Sequence, residues 1–395
     1  MRILSFRSRF SSLSETFIYD QIRELRRQGH DVPVVTLTRA HEENRPLSDI
    51  HVVRTRHRLA PRWVLRRLGA AAGRLSPDEV LLPWYTAGFS RVIRALDPDV
   101  VHAHFGTDGI MIAEAALACD VPLAVTFYGY DASRLPQLAE WRRRYELLFD
   151  QARWLIGISD HMCGRLTGLG APAGKVYRVR LGVSADRFAF TDPRQRFDGT
   201  TVRCLHVGRL TEKKGPVLLV RAFERARRLC SEEVDLRLLI LGDGPLRTEV
   251  EAEIERAHLG GSIELGGAVS HQEVRAKMAE SHLYTQHSLT SPDGDEEGLG
   301  VSFVEASASG LPVVATRHDG IPEVVRDGVS GLLVREGDWE AMGDRIAELA
   351  VHPERWTSMG RAGRHHVVEH FSLGEQACRL VRVLSGTGSD DSPPT

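Results

Sequence analysis

Val202-Arg203-Cys204-Leu205-His206-Val207 runs directly into Gly208-Arg209-Leu210-Thr211-Glu212-Lys213-Lys214-Gly215-Pro216, and an amphipathic segment follows. A short β-branched run closed by glycine reads as a strand, and proline just past the second glycine reads as the first residue of a helix. The same strand, loop and helix unit recurs downstream, with strands expected at 236–241, 263–265, 283–285 and 312–315. Upstream the expected strands are 3–6, 32–35, 100–103, 123–125 and 154–158, separated by helices such as 16–28, where Gly29 supplies a C-terminal stop. Strands alternating with helices from end to end give an α/β protein with parallel sheets covered by helices.

At 395 residues the chain fits two domains better than one. The strand series restarts near Val202, and the polar, turn-rich run 191–200 is the expected linker between a first domain, 1–190, and a second, 201–371. A helix over 372–384 is expected to pack back toward the first domain, and 385–395, rich in Ser, Gly, Asp and Pro, reads as a disordered tail. The composition, 42% hydrophobic and 26% charged with a net charge of −2, excludes fibrous, disordered and globally nucleic-acid-binding classes, so no nucleic acid partner is expected. Five scattered cysteines without a C-x-x-C pair indicate neither a disulfide framework nor a zinc site. Arg7 and Arg9 interrupt any apolar N-terminal run, and no stretch approaches ~18 apolar residues, so a cytoplasmic protein without signal peptide or membrane span is expected. Residues 54–74 hold seven arginines interleaved with Trp63, Val64, Leu65 and Leu68. This stretch is either a solvated surface helix or an interfacial one that makes peripheral contact with anionic lipid at the inner membrane face.

The most informative chemistry lies in Glu296-Glu297-Gly298-Leu299-Gly300-Val301-Ser302-Phe303-Val304-Glu305. Turn residues give way to a helix across a Gly-x-Gly, which places Glu297 in the loop and Glu305 in the helix. A helix N-terminus behind glycines offers free N–H groups and a positive dipole end to a diphosphate. A carboxylate in the helix can accept ribose hydroxyls, and one in the loop can meet a sugar or the charge that develops at its anomeric carbon. Arg209 can grip a phosphate bidentately and Lys214 can act as a mobile point charge. Each feature also has a plain reading, as a solvated acidic loop or surface charge. Gly242-Asp243-Gly244-Pro245 reads most simply as a tight turn. It is no nicotinamide fingerprint, and no P-loop is present. The pair Asp293-x-Asp295 invites a magnesium reading, but acidic turns are common in charged chains, and no metal is expected.

Taken together, E-G-x-G-x4-E-A-x-A-x-G-x-P from Glu297, the downstream Gly320-Ile321-Pro322-Glu323 and the Gly208 to Gly215 loop closely resemble the retaining glycosyltransferases of family 4. The resemblance covers roughly residues 1–371. It implies the GT-B fold, two Rossmann-like domains with parallel sheets facing a central cleft, and metal-independent transfer from a nucleotide diphosphate-sugar, UDP by family habit. It assigns Arg209 and Lys214 to the diphosphate, Glu305 to the ribose, and Glu297 with Gly298, Leu299 and Gly300 to the sugar, Glu297 being the catalytic candidate. No cofactor is implied.

In the first half, Ser14-Glu15-Thr16-Phe17-Ile18, Val101-His102-Ala103-His104 and Thr126-Phe127-Tyr128-Gly129-Tyr130-Asp131 resemble the subset that builds exopolysaccharide or colanic-acid-type units. They nominate Ser14, Glu15, His104, Tyr128 and Asp131 as acceptor-side candidates, with Ser14 and the histidines equally readable as capping or packing residues. Where many relatives carry T-F-H-G, this chain has Tyr128, so a histidine near the transferred sugar is not carried over. The acceptor expected is a glycan, a lipid-linked glycan or, in an antibiotic pathway, a small aminocyclitol. A catalytically silent sugar-nucleotide-binding protein is the reading from another class.

Overall fold

The computed structural model describes residues 1–11, 15–53 and 77–387, with only the backbone for 44 and 77–84. Ser14, the arginine-rich run 54–74 and the tail beyond 387 lie outside the described residues. The chain divides into two compact units, Met1–Ile158 with Met162–Arg180 and Gln376–Thr395, and Ser159–His161 with Leu181–Glu375.

The first unit holds β1 (Ile3–Phe6), β2 (Arg9–Phe10), β3 (Val34–Thr36), β4 (Thr38–Arg39), β5 (Ile50–Val52), β6 (Val100–His104), β7 (Leu123–Phe127), β8 (Trp154–Gly157) and β9 (Val176–Arg178). Seven of these form one parallel sheet in the order β5-β3-β1-β6-β7-β8-β9, while β2 and β4 pair separately. Every residue of β1, β6 and β7 is buried. Helices cover both faces of such a sheet, which is why these strands read as continuous apolar runs rather than alternating ones. Leu4, Phe6, Val101, Val125 and Leu155 lie in one core with Phe89, Ile112 and Phe149 from the covering helices. Each fully buried side chain of this size contributes about 1.5–3 kcal/mol.

The second unit repeats the plan with β10 (Thr201–Val207), β11 (Asp235–Leu241), β12 (Ile263–Gly267), β13 (Leu283–Gln286), β14 (Val313–Thr316) and β15 (Gly331–Val334), all parallel, in the order β12-β11-β10-β13-β14-β15. Its core gathers Val202, Leu219, Phe223, Leu238, Ile346 and Trp356. The winding reverses between β1 and β6 in the first unit and between β10 and β13 in the second. In open α/β sheets, sites form at the carboxyl ends of strands at such a reversal.

Five strands escape the sequence pattern. β2 and β4 are two residues long, β5 and β9 are three-residue edge strands mixing apolar and polar residues, and β15 begins on a glycine. After a brief entry at Ser159–His161 the chain passes into the second unit at Arg180–Leu181, and 191–200, polar in composition, lies within that unit. Its polar groups are pinned there. Arg196 donates to the carbonyls of Ser281 and Thr191, Thr357 Oγ1 donates to Asp192, and Phe197 packs edge-on to Trp356. The helix Leu373–Leu384 enters the first unit from Gln376 onward, where the Gln376 side-chain oxygen accepts from the Arg180 N–H at 2.9 Å.

Candidate active site

In the second unit β10 ends at Val207 and delivers Gly208 and Arg209 into a loop that closes with a 3-10 turn, Glu212–Lys214, before helix Pro216–Leu229 starts on its proline. The loop is held from beneath by the 242–245 turn. Leu210 N–H donates to the Asp243 carbonyl at 3.1 Å, and Leu246 N–H donates back to the Leu210 carbonyl at 3.0 Å. Gly242 has φ +140, and a Cβ on it would fall 1.9 Å from the Gly208 oxygen. That turn is the seat of the arginine loop. Arg209 is exposed and, among the described residues, carries no ion pair. Lys214 and Lys213 point instead to the loop beyond β13, Lys214 pairing with Glu297 and Lys213 with Asp295 at 3.0 Å.

Glu297 lies in that loop and Glu305 inside helix Val301–Ala308, whose N-cap is Gly300 at φ +76. Glu297 is 14% exposed in its side chain. Burial works to raise its carboxyl, but the Lys214 and Lys213 ammonium groups outweigh that and hold it down at about 2. It is therefore an anion across the physiological range. Its backbone N–H donates to His318 Nε2 at 3.2 Å. Gly298 and Leu299 are buried, the Gly298 carbonyl accepting from Ser159 Oγ at 3.2 Å. Glu305 is 7% exposed and accepts from His271 Nε2 at 2.8 Å. Glu323 accepts the Asp160 and His161 N–H groups at 2.6 and 3.2 Å. Arg209, Lys214 and Glu297 thus all stand on loops that leave the β10/β13 reversal, with Glu305 on the helix that ends the second of them.

Three contributors carried no signal of their own in the sequence. His206, at the end of β10, is buried with Nδ1 3.2 Å from the Thr285 carbonyl, and burial, with Lys214 adding to it, pushes it down to about 4. His271 and His318 lie 34 and 21 residues from the groups they bond. A histidine at that separation is visible only once the chain has folded. Asp295 is tied to Lys213, and Asp293 accepts from the Asp295 N–H at 3.3 Å, so these two aspartates are occupied with the loop itself. Among the described residues His161, Glu296 and Asp319 bring potential metal-ligand atoms within 4.8 Å of one another.

In the first unit the acceptor-side candidates are more enclosed. His104 is fully buried between the Tyr128 hydroxyl, 2.7 Å from Nδ1, and Ser5 Oγ, 3.0 Å from Nε2. Burial, with His102 and Arg7 adding to it, holds His104 well below the usual histidine range, and burial lifts the Tyr128 phenol well above its own. Both are neutral. Asp131 is fully buried and spends its oxygens on the backbone N–H groups of Gly106, Tyr128 and Gly129 at 2.9–3.1 Å. It organises the loop after β7. Glu15 and Asp108 grip Arg7 from two sides at 2.8 and 2.9 Å, with the guanidinium 4.3 Å from the Phe105 ring centre. The structure thus brings Glu15, His104, Tyr128 and Asp131 to the region of the β1/β6 reversal. Among the described residues no helix is long and apolar enough to cross a membrane.

Comparison with known proteins meets this geometry from outside. Residues 14–187 match the family model Glycosyltransferase Family 4, and 189–366 match Glycosyl transferases group 1. The chain is 31% identical over 416 residues, 97% of its length and 100% of the other, to WcaL of Salmonella typhimurium, named for a glycosyltransferase of colanic acid biosynthesis. It is 32% identical over 332 residues, 78% of its length and 83% of the other, to a GDP-mannose-dependent phosphatidylinositol monomannoside mannosyltransferase of Mycolicibacterium smegmatis. Anabaena HepE, solved with UDP, superposes with a TM-score of 0.75 over 98% of this chain and 100% of that one at 18% identity, a likeness of fold. The fold is GT-B, built from two Rossmann-like units each on a parallel sheet. The chain belongs to glycosyltransferase family 4 and is a glycosyltransferase.

Proposed function

We propose that the protein moves a hexosyl or N-acetylhexosaminyl group from a nucleotide diphosphate-sugar to an acceptor hydroxyl, with retention at the anomeric carbon and without a metal, in exopolysaccharide or lipid-linked glycan synthesis. The observation that carries the reading is the ion pair between Lys214 and the anionic, nearly buried Glu297 at the β10/β13 reversal. Arg209 grips the diphosphate through paired N–H groups, and Lys214 reaches it as a point charge while anchoring Glu297. As the sugar–phosphate bond breaks, negative charge gathers on the leaving diphosphate, and these two cations stabilise it. Glu297 faces the sugar as a fixed anion, matched to the positive charge that develops at its anomeric carbon. Glu305, held by His271, takes the ribose hydroxyls. The departing diphosphate oxygen takes the acceptor proton, so no protein nucleophile is needed.

Relatives named for colanic acid and amylovoran biosynthesis support the exopolysaccharide assignment. HepE with UDP-glucose supports UDP as the first donor nucleotide to test, and the mannosyltransferases make GDP-mannose the second. A thermal-shift screen of UDP-, GDP- and ADP-sugars identifies the donor, because a ligand that binds only the folded state raises its apparent stability. Glu297→Ala then lowers transfer by roughly a hundredfold to a thousandfold with the melting temperature retained. Near wild-type turnover in that variant removes the assignment. Activity surviving EDTA dialysis supports the metal-free chemistry, and activity lost to EDTA and restored by magnesium defeats it.

A further inference from the structure

Between the end of β13 at Gln286 and the start of the helix at Val301 the chain forms no helix or strand, yet Glu297 sits within it. A carboxylate that must meet a developing charge needs its backbone held to a fraction of an ångström by neighbours that are themselves locked. The hydrogen bonds that do this lead outside the residues so far assigned to the donor. Glu297 N–H donates to His318 Nε2 at 3.2 Å, His318 Nδ1 lies 2.8 Å from Glu336 Oε2, and Glu336 Oε1 accepts the N–H of Thr290 at 2.6 Å.

The donors and acceptors along this relay allow one direction. A backbone N–H can only donate, so His318 Nε2 presents its lone pair. A neutral imidazole then carries its proton on Nδ1, where it donates to the Glu336 carboxylate. Asp319 Oδ2 stands 3.5 Å from the same Nε2, too far for a good bond and able to bond only a protonated nitrogen. The His318 side chain is 2% exposed, so the ring has no alternative partner in water. Both ends of the relay fall in one loop, at Thr290 and at Glu297. A third tie fastens the far wall, where Gly337 N–H donates to His287 Nε2 at 3.1 Å.

We infer that His318 is a positioning residue for Glu297, clamping the loop that carries it, and that Glu336 orients the imidazole by accepting its Nδ1 proton. The inference rests on the reading of Glu297 as the group facing the sugar. His318 comes from the turn after β14 and Glu336 from the turn after β15, so the two strands beyond β13 serve to place a residue that neither contains.

The test is steady-state turnover of UDP-glucose, or of GDP-mannose if only that sugar nucleotide raises the melting temperature. It is read beside amide hydrogen exchange of the 287–300 peptide in the full chain. His318→Leu lowers kcat about a hundredfold while the donor KM stays within threefold, and it speeds exchange of the peptide at least tenfold. His318→Gln, whose side-chain oxygen can accept from Glu297 N–H, recovers at least tenfold of kcat and restores protection. Glu336→Ala lowers kcat about tenfold, since the ring then turns freely. If His318→Leu does not fold, His318→Gln and Glu336→Ala still decide the matter. A His318→Leu protein with kcat within threefold of wild type, with unchanged exchange, or with its loss confined to KM overturns the positioning role. Glu297→Ala, assayed alongside, separates the two claims. An active Glu297→Ala protein removes the reading of Glu297, whereas an inactive one beside an unaffected His318→Leu protein removes only the role of His318. Should neither sugar nucleotide turn over, hydrogen exchange alone decides, and equal protection in wild type and His318→Leu overturns the inference.

Discussion

The two units wind their sheets alike, reversing at β1/β6 and at β10/β13, yet the residues gathered near the two reversals are of opposite kinds. The second unit surrounds its reversal with loops carrying charges: Arg209, which is exposed, and Lys213, Lys214 and Glu297, which are mostly buried and held in ion pairs. The first unit surrounds its own with His104, Tyr128 and Asp131, buried and hydrogen-bonded, while the Arg7 guanidinium is already shared between Glu15 and Asp108. A shared topology supplies a place for a site, and the side chains decide what it can hold. Clustered cations beside a fixed anion suit a diphosphate and a charged transition state. Enclosed groups whose hydrogen bonds are already made suit the packing of a loop or the hydroxyl of a neutral sugar.

The contrast breaks most sharply at Lys214. Lys214→Met is expected to lower transfer by about a hundredfold to a thousandfold, the size typical of removing one charge-stabilising donor, and to cost about 1–3 kcal/mol because Glu297 loses its closest partner. Kinetics and urea midpoints measure the two effects, and a full-rate Lys214→Met protein would mean that the second unit's charges are ornamental. Gly242→Ala comes next. Its Cβ would fall on the Gly208 oxygen, so the arginine loop must shift, and we expect a loss of about 2–4 kcal/mol in stability with a rise of roughly tenfold in donor KM. An unchanged KM would show that the 242–245 turn does not seat Arg209.

Acidity tests both units together. His102 in the first and His206 and His287 in the second are each pushed down to about 4, by burial first. Because their folded values lie below the unfolded value of 6.5, the unfolded chain binds more protons across that interval. Stability is therefore full above about pH 6.5 and falls as the pH drops toward 4, by about 1–3 kcal/mol for each histidine. Glu297 adds a stabilising contribution with its own window, full above the unfolded value of 4.5 and lost as the pH falls through about 2. Urea midpoints between pH 7.5 and 4 test the first interval, and a flat profile there would refute neutral burial of the histidines. The smallest effect is Tyr128→Phe, which removes a hydroxyl from His104 Nδ1 and is expected to cost about 1 kcal/mol while leaving donor KM unchanged. A large change in donor KM in that variant would blur the division between the units.

Much of this molecule is legible in order along the chain. The buried strands announce themselves as apolar runs, helix Pro216–Leu229 by its opening proline, and the Glu297 to Glu305 turn by its glycines, since these signals depend on a residue and its near neighbours alone. The edge strands β5 and β9 do not, because three residues with mixed polarity become a strand only when a partner strand offers its hydrogen bonds. Composition marks 191–200 as polar without saying that Arg196, Asp192 and Phe197 fasten it to the second unit. Sequence alone therefore determined the α/β class, the doubled architecture, and Arg209, Lys214, Glu297 and Glu305 as the residues to watch. Only the tertiary structure decided that Lys214 closes on Glu297, that Asp131 is spent on its own loop, and that His318 and Glu336 hold the Glu297 backbone. The Lys214–Glu297 and His318–Glu297 contacts join residues 83 and 21 positions apart, which no local pattern encodes, and burial sets the charge state of each group once water has been removed.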